Sequence, residues 1–196
     1  MGARVDGMGH REDLLAGAKR CLLEKGWSRT TARDIVAASG ANLASIGYHY
    51  GSKDALMRAA LFASMEDWGD DLQEALKDRL DPSATLLERF GEGWDRMLEL
   101  FTKHRAVWQA QMEAALQAQH DPELREAFGQ AQPEGRKGLV SLFTGVDEEE
   151  VDEETAKVLG SFYMTLVSGM AVQMTLNPGL TPGSSDLMEA IRRVAT

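Results

Sequence analysis

The apolar residues of this chain recur at helical spacing along almost its whole length. In the segment from about residue 11 to 25, the apolar positions form one stripe, made of Leu14, Leu15, Ala18, Cys21 and Leu22. Such spacing indicates an amphipathic α-helix. No turn dipeptide is flanked by the alternating β-branched residues that would predict a hairpin. The pattern therefore predicts an all-α fold.

Periodicity, caps and breakers together predict about nine helices. Gly26 is a helix stop, Ser52 is an N-cap, and the pair Asp81-Pro82 ends a helix. The expected ranges are 11–25, 31–40, 43–50, 53–79, 84–102, 104–119, a helix from Pro122, 150–176 and 187–195. Pro133 is expected to kink or split the helix that begins at Pro122, because a proline inside a helix removes a hydrogen bond.

Residues 31–50 carry two short predicted helices joined by a turn. Thr31 and Asp34 have the spacing of a capping box, with Asp in place of the usual Glu. Gly40 can adopt the left-handed turn conformation, and Asn42 is a good N-cap for the second helix. This arrangement is typical of a helix-turn-helix unit, whose second helix enters the DNA major groove. The corner alone also occurs in helical proteins that bind no DNA.

Lys53 adds a second indication of DNA binding. A lysine in the first turn of a helix opposes the helix dipole, whereas a phosphate there would satisfy both the ammonium and the backbone N–H groups. Tyr48 and His49 lie just before it and are polar aromatics. Residues 1–58 carry nine Lys/Arg and six Asp/Glu, while residues 59–196 carry twelve and twenty-five. Only residues 1–58, which we call the head, carry a net positive charge and are therefore suited to approach a polyanion.

Residues 11–62 resemble the DNA-binding domain of TetR family transcriptional regulators. The resemblance is carried by GW at 26–27, TTARDIV at 30–36 and ASGANLASIGYHYGSKDAL at 38–56. These segments match the family pattern nearly continuously, over about a quarter of the chain. The remainder resembles the family in length, helical character and the pairs Ser168-Gly169 and Asn177-Pro178.

The resemblance implies a homodimer that binds a palindromic operator, usually as a repressor released by a small ligand. By position, the implied phosphate contacts are Thr31, Tyr48 and Lys53. The implied base contacts are Arg33, Leu43, Ala44, Ser45 and His49, and Asn42 completes the candidate DNA-binding set at the start of the recognition helix. Gly47 departs from the family, which commonly has Tyr or Asn there. Its cost to the helix is about 0.5–1 kcal/mol.

We therefore expect three parts: a flexible N-terminal arm at 1–10, a helix-turn-helix DNA-binding domain at 11–56, and a larger helical ligand-binding and dimerisation domain at 57–196. In the last part, the helix of about 150–176 is apolar over most of its circumference, which requires burial on both sides. A core on one side and a partner subunit on the other would satisfy this. The candidate dimer interface is Phe162, Leu166, Gly169 and Met170. A central core helix in a monomer is the alternative.

The same helix needs comparison with a membrane span. Residues 158–176 carry no charge over 19 positions, close to the roughly 20 that cross a bilayer. Seven of those positions are glycine, serine, threonine or glutamine, which is poor for a span. We interpret the segment as buried within protein and predict no membrane partner.

Tryptophan and methionine are frequent on the mid-chain helices. A mostly apolar small-molecule effector would find a pocket among some of Trp68, Trp94, Met97, Trp108, Met112 and Phe128. Stripes of such residues are also typical of plain hydrophobic core, and this alternative stays open for each of them. Glu113 is either the polar anchor of such a pocket or a solvent-facing residue.

Enzyme chemistry has little support in the sequence. There is one cysteine, and the four histidines are scattered without metal-ligand spacing. No Gly-rich phosphate loop or nucleophile–base arrangement stands out. The acidic run 147–154 lacks the alternating spacing of a calcium loop and is interpreted as solvated. We predict no catalytic residue, metal or cofactor.

The sequence thus predicts a DNA-binding transcriptional regulator, a ligand-responsive repressor in the cytoplasm that joins the nucleoid when bound to DNA. Its predicted partners are operator DNA, a second copy of itself and the small-molecule effector. The first ten residues hold no apolar run typical of a signal peptide. The alternative is a helical ligand- or protein-binding dimer without operator binding.

Overall fold

The computed structural model describes residues 3–76 and 84–194, and it describes side chains over 10–75 and 84–194. These ranges contain helices, turns and loops and no β-strand, which confirms the predicted all-α fold. The helices are α1 (Ala3–Lys25), α2 (Ala32–Ser39), α3 (Leu43–Tyr50), α4 (Lys53–Leu76), α5 (Leu86–Lys103), α6 (Arg105–Gln117), α7 (Pro122–Thr144), α8 (Ser161–Leu176) and α9 (Ser184–Val194). The predicted end of the fourth helix, near residue 79, lies outside the described residues.

The first helix starts earlier than the sequence predicted. It begins at Ala3 instead of Arg11, so the residues predicted to form an arm are helical from Ala3. Gly7 and Gly9 each disfavour a helix by about 1 kcal/mol relative to alanine. Extending an existing helix needs no new nucleus, however, so α1 continues through both glycines.

Pro133 lies inside α7 and does not split it. The positions from 129 to 135 are exposed. Water can therefore solvate the carbonyl that loses its partner, and the helix continues on both sides.

The entry to α8 also differs from the prediction. A 3₁₀ turn (Glu148–Glu150), a short α-helical turn (Glu153–Thr155) and a π-helical turn (Ala156–Gly160) precede α8.

The chain divides into two compact units, which we describe separately. Unit 1 comprises residues 3–68 and 106–127 of the described chain. Its core takes apolar residues from α1 to α4 and from α6, among them Leu14, Ala18, Leu22, Ile35, Ile46, Leu56, Met57, Leu61 and Trp108. Helices α1 and α2 approach closely at Gly17, where a Cβ would lie 2.8 Å from Ser39 Cβ. This packing fixes α2 and α3 against α1.

Unit 2 comprises the described residues from 69 to 105 and from 128 onward. Its core contains an aromatic cluster in which Phe90 lies 5.9 Å from Trp94, 5.2 Å from Phe143 and 6.0 Å from Tyr163, between ring centroids. Burial raises the pKa of the Tyr163 phenol. The Trp94 indole N–H donates to the Pro182 carbonyl at 3.0 Å, which joins α5 to the segment before α9.

One face of α8 has no covering element among the described residues of unit 2. The helical stretch Glu153–Leu176 is long and apolar enough to cross a membrane by length and composition alone, and 28% of its most apolar window is buried. Core helices of soluble proteins pass the same test. Its large exposed apolar residues are Val158, Leu159, Phe162, Val172 and Leu176. We call these five residues the α8 face; Val158 and Leu159 belong to it although they lie in the π-helical turn that leads into α8.

Candidate DNA-binding interface

Local hydrogen bonds build the helix-turn-helix as the sequence predicted. The Asp34 N–H donates to Thr31 Oγ1 at 3.2 Å, and the Thr31 N–H donates to Asp34 Oδ2 at 2.9 Å, so the capping box is confirmed. Gly40 has φ 72° and ends α2 in the left-handed conformation. The Asn42 side chain accepts from the Ser45 N–H at 3.0 Å and starts α3. The turn between α2 and α3 is therefore fixed from both sides.

The recognition helix α3 is anchored by one apolar residue and presents the opposite face outward. Ile46 is buried in the core of unit 1. Leu43 is 58% exposed and Tyr48 is 85% exposed. Ala44 and Gly47 are exposed beside them, while Ser45 and His49 are half-buried. Tyr48 and His49 contact each other edge to face, with ring centroids 4.8 Å apart.

Thr31 and Arg33 stand at the start of α2. Arg33 is exposed, as a base contact requires. The Thr31 hydroxyl donates to Asp34 Oδ2 at 2.6 Å, so in this arrangement its hydrogen is not offered to a phosphate. The Lys25 ammonium pairs with Asp34 Oδ1 at 2.5 Å. This lysine, followed by Thr31, holds the pKa of the Asp34 carboxyl well below its usual range.

Lys53 lies in the first turn of α4, next to the cap that starts the helix. Ser52 Oγ accepts from the Ala55 N–H at 3.0 Å. The Lys53 ammonium lies 3.0 Å from Asp54 Oδ1 and is therefore paired within its own helix. Asp54 offsets the unfavourable position of this lysine near the positive end of the helix dipole. Lys53 also lines a surface cleft of about 340 Å³ in unit 1, with Trp27, Ser28, Asp54, Gln117, His120 and Asp121.

The contacts that attach α6 and the start of α7 to the head were not visible in the sequence. Glu113 of α6 is half-buried, and its carboxylate accepts from the Ser28 N–H at 3.3 Å. Gly26 has φ +85°, and a Cβ at this position would lie 2.8 Å from the oxygens of the same carboxylate. Arg58 pairs with Asp121 at 3.6 Å and with Glu123. These pairs join residues far apart in sequence, so no local pattern marks them.

Tyr50, the last residue of α3, packs against α1. Its hydroxyl donates to the Arg11 carbonyl at 2.9 Å, and the Arg11 guanidinium lies 5.6 Å from its ring centroid. The end of α3 is thereby tied to the beginning of the core part of α1.

The predicted pocket residues fall into the two units. Trp68, Trp108 and Met112 belong to unit 1, and Trp94, Met97 and Phe128 belong to unit 2. Trp68 and Trp108 form an edge-to-face pair with ring centroids 4.9 Å apart. Trp94 and Met97 are fully packed in the core of unit 2. The alternative that these two are core residues therefore gains support.

The predicted dimer residues differ in their exposure. Phe162 is 44% exposed on the α8 face, and a Cβ on Gly169 would meet no atom within 4 Å. Leu166 is half-buried. Met170 is only 2% exposed and packs into the core of unit 2. Met170 is therefore not part of the exposed face, because its position on the helix points it inward.

Comparisons with known proteins bear on both parts of the chain. Residues 14–60 match the family described as bacterial regulatory proteins of the tetR family. Residues 86–196, more than half of the chain, match the tetracyclin repressor-like C-terminal domain. The chain belongs to the TetR family.

Its relatives are transcriptional repressors. The chain is 33% identical over 78 residues to the helix-turn-helix repressor KstR2 of Rhodococcus jostii, a match covering 40% of this chain and 38% of the relative. It is 32% identical over 111 residues to a helix-turn-helix repressor of Mycobacterium tuberculosis, covering 46% of this chain and 59% of the relative. The matches thus span less than two thirds of either relative.

Solved structures share the fold. A transcriptional regulator from Streptomyces coelicolor aligns with TM-score 0.66 and 22% identity, covering 95% of this chain and 98% of that one. The multidrug binding protein EbrR, complexed with imidazole, aligns with TM-score 0.68 and 23% identity, covering 93% and 88%. At 22% and 23% identity these alignments show a shared fold, which agrees with the two family matches.

Proposed function

We propose that this TetR family protein is a homodimeric repressor that binds a palindromic operator and leaves it when a small, mostly apolar molecule binds. The observation that carries the proposal is the exposed outer face of α3, held in place by a fully capped helix-turn-helix. Both of the relatives named above are repressors, which supports repression rather than activation. A regulator of this kind acts in the cytoplasm and on the nucleoid.

The DNA contacts divide into two classes. Lys53 and Tyr48 are assigned to phosphates, because both present polar groups beside the recognition helix and its flanking helix N-terminus. Arg33, Leu43 and Ala44 are assigned to base edges, with Ser45, His49 and Asn42 at the margin of that surface. Thr31 contributes through the capping box that orients α2.

The α8 face supports the dimer. A contiguous exposed apolar surface on a soluble protein marks an interaction site. A second copy of the same face would cover it, as a two-fold interface is self-complementary. Two heads joined in this way would read half-sites in successive major grooves, about 34–36 Å or a multiple of that apart.

The effector site is proposed near the Trp68–Trp108 pair of unit 1. The Trp68 indole N–H is buried and has no hydrogen-bond partner among the described residues. A buried unpaired donor is unfavourable, so an acceptor on a bound ligand would stabilise it. Structural relatives do hold small molecules: EbrR is complexed with imidazole, and a regulator from Saccharomonospora viridis with choline.

The Lys53→Ala variant tests DNA binding through the head. Removing one phosphate contact should weaken binding to all duplexes alike and reduce the slope of log affinity against log salt by about 1. Gel shift or fluorescence anisotropy from 50 to 200 mM salt measures both. Lys103→Ala, the same change in unit 2, is the control and should alter neither affinity nor slope. Equal slopes for wild type and a folded Lys53→Ala protein would remove Lys53 from the interface.

A wild-type protein that binds no duplex at low salt would contradict the proposal as a whole. The chain would then be the alternative considered above, a helical dimer that recognises ligands or proteins without an operator. Circular dichroism and urea unfolding of the same sample show whether the protein tested is folded. These measurements separate a loss of binding from a loss of structure.

A further inference from the structure

The outer face of α3 is small and apolar. The four positions most open to solvent after the cap are 43, 44, 47 and 48, which lie on one side because residues four apart are neighbours on a helix. They carry Leu, Ala, Gly and Tyr. Within this set no guanidinium, ammonium, carboxylate or amide is present, and the Tyr48 hydroxyl is the one polar side-chain group.

The residues at the margin of this face do not supply a bidentate base contact. An asparagine reads adenine with its amide oxygen and nitrogen together. The Asn42 oxygen accepts from the Ser45 N–H, so the orientation of this side chain is set by the helix cap. His49 is half-buried beside the Tyr48 ring. The base-edge group that an aliphatic side chain recognises is the methyl of thymine.

Gly47 is the second, independent observation. Glycine disfavours a helix relative to alanine, so its presence in the middle of an eight-residue helix requires a reason. Packing gives none, because a Cβ at this position would meet no atom within 4 Å. Gly47 lies on the outer face between Leu43 and Tyr48. No side chain therefore covers the helix backbone at the point where DNA would approach.

We infer that α3 reads thymine methyl groups of the operator through Leu43 and Ala44, and that Gly47 lets the helix backbone approach the bases closely. The inference rests on the proposed function in one respect, the entry of α3 into the major groove. It specifies the class of half-site: one with at least one T·A pair opposite Leu43 and Ala44.

The test removes methyl groups from the DNA one at a time. The full chain first selects duplexes from a random pool, and each thymine of the selected half-site is then replaced by deoxyuridine, which lacks only the methyl. Fluorescence anisotropy should show about a fourfold loss of affinity for each contacted methyl. The Leu43→Ala variant should lose this sensitivity at one position. At the same position, 5-methylcytosine in a C·G pair should bind more tightly than cytosine.

Two further variants complete the design. Leu116→Ala makes the same change at a leucine of α6 that is 66% exposed, and it should keep both the affinity and the methyl effect of wild type. Gly47→Ala should raise the midpoint of urea unfolding and yet weaken operator binding. A Gly47→Ala protein that is more stable and yet binds the operator more weakly would show that Gly47 serves the close approach of the backbone to DNA. A purely structural role would not change stability and DNA affinity in opposite directions.

Several results would overturn the inference. Wild-type affinity that is insensitive to deoxyuridine at every position would do so, and so would an equal loss in wild type and Leu43→Ala. A selected pool without thymine at the α3 contact would also contradict it while leaving DNA binding intact. Failure of DNA binding itself is recognised separately, by the salt dependence of the wild-type protein and of Lys53→Ala.

Discussion

Asp34 shows how one carboxylate organises the start of the DNA-binding helices. It closes the capping box with Thr31 and pairs with Lys25 at the end of α1. Both interactions favour the ionised form, which is why the pKa of Asp34 is lowered in the folded chain. Sequence spacing indicates the capping box. The lysine nine positions earlier reaches the same carboxylate only because α1 and α2 pack together.

The protonation of Asp34 should therefore appear in the pH dependence of stability. A carboxyl whose folded pKa is depressed contributes stability above its unfolded pKa of about 3.9, and that contribution is lost as the pH falls through the folded value. The difference in unfolding free energy between wild type and Asp34→Asn should be constant from about pH 5 to 7 and should shrink below about pH 4. Urea unfolding at several pH values measures it.

Lys25→Gln is the matched variant for this prediction. It removes the largest cause of the lowered pKa and leaves the capping box in place, so its own decline in stability at acid pH should be weaker than that of wild type. A difference between wild type and Asp34→Asn that stays the same from pH 3 to 7 would contradict the role of the ionised carboxylate.

At the scale of elements, α8 has two different sides. Val167, Met170 and Ala171 face the core of unit 2, while the α8 face is open. The uniform apolar character of this helix in the sequence does not reveal which residues point inward. Because its composition is uniformly apolar, the helix also has the length and composition of a membrane span.

A charge on the open side should prevent dimerisation. In a self-complementary interface, Phe162→Asp would bury an unpaired carboxylate on each subunit, which is strongly unfavourable. Light scattering should find wild-type dimer and Phe162→Asp monomer at micromolar concentration. Leu116→Asp, an equally abrupt change on an exposed leucine of α6, should remain dimeric. Wild-type monomer under these conditions would disprove the proposed role of the α8 face.

For the whole molecule, the proposed repression and release require two states that the effector distinguishes. A ligand with equal affinity for the DNA-binding and the released state would change nothing. Helix α4 begins at Lys53 and contains Trp68, so a ligand at the proposed site beside Trp68 would touch the helix that carries the proposed phosphate contact. Ser28, Glu113 and Arg58 hold α6 and the start of α7 to the same head.

Ligand and operator should consequently weaken each other's binding by the same factor. A coupling free energy of about 1–3 kcal/mol corresponds to a change of some 5–150-fold. A ligand that co-purifies with the protein, identified by mass spectrometry, can be titrated by tryptophan emission with and without operator. Trp68→Phe should reduce the emission change, whereas Trp27→Phe in the head should preserve it. A ligand that quenches tryptophan emission but leaves operator affinity unaltered would contradict the switch.

The sequence by itself determined the features that depend on neighbouring residues. Thr31 with Asp34, Gly40, Asn42 and Ser52 fixed the caps and the turn, since each acts on the backbone within four positions. The ranges of α2 and α3 follow from these residues. The same local pattern carries the family resemblance, which is why the DNA-binding surface could be assigned residue by residue.

Only the tertiary structure decided what depends on contacts between distant segments. It placed Glu113 against Ser28, turned Met170 into the core, and showed that α1 passes through Gly7 and Gly9. Periodicity gives the apolar side of a helix, but it does not say which part of a broadly apolar surface meets the chain's own core. That choice is made by packing, because burial depends on what lies opposite each residue in space.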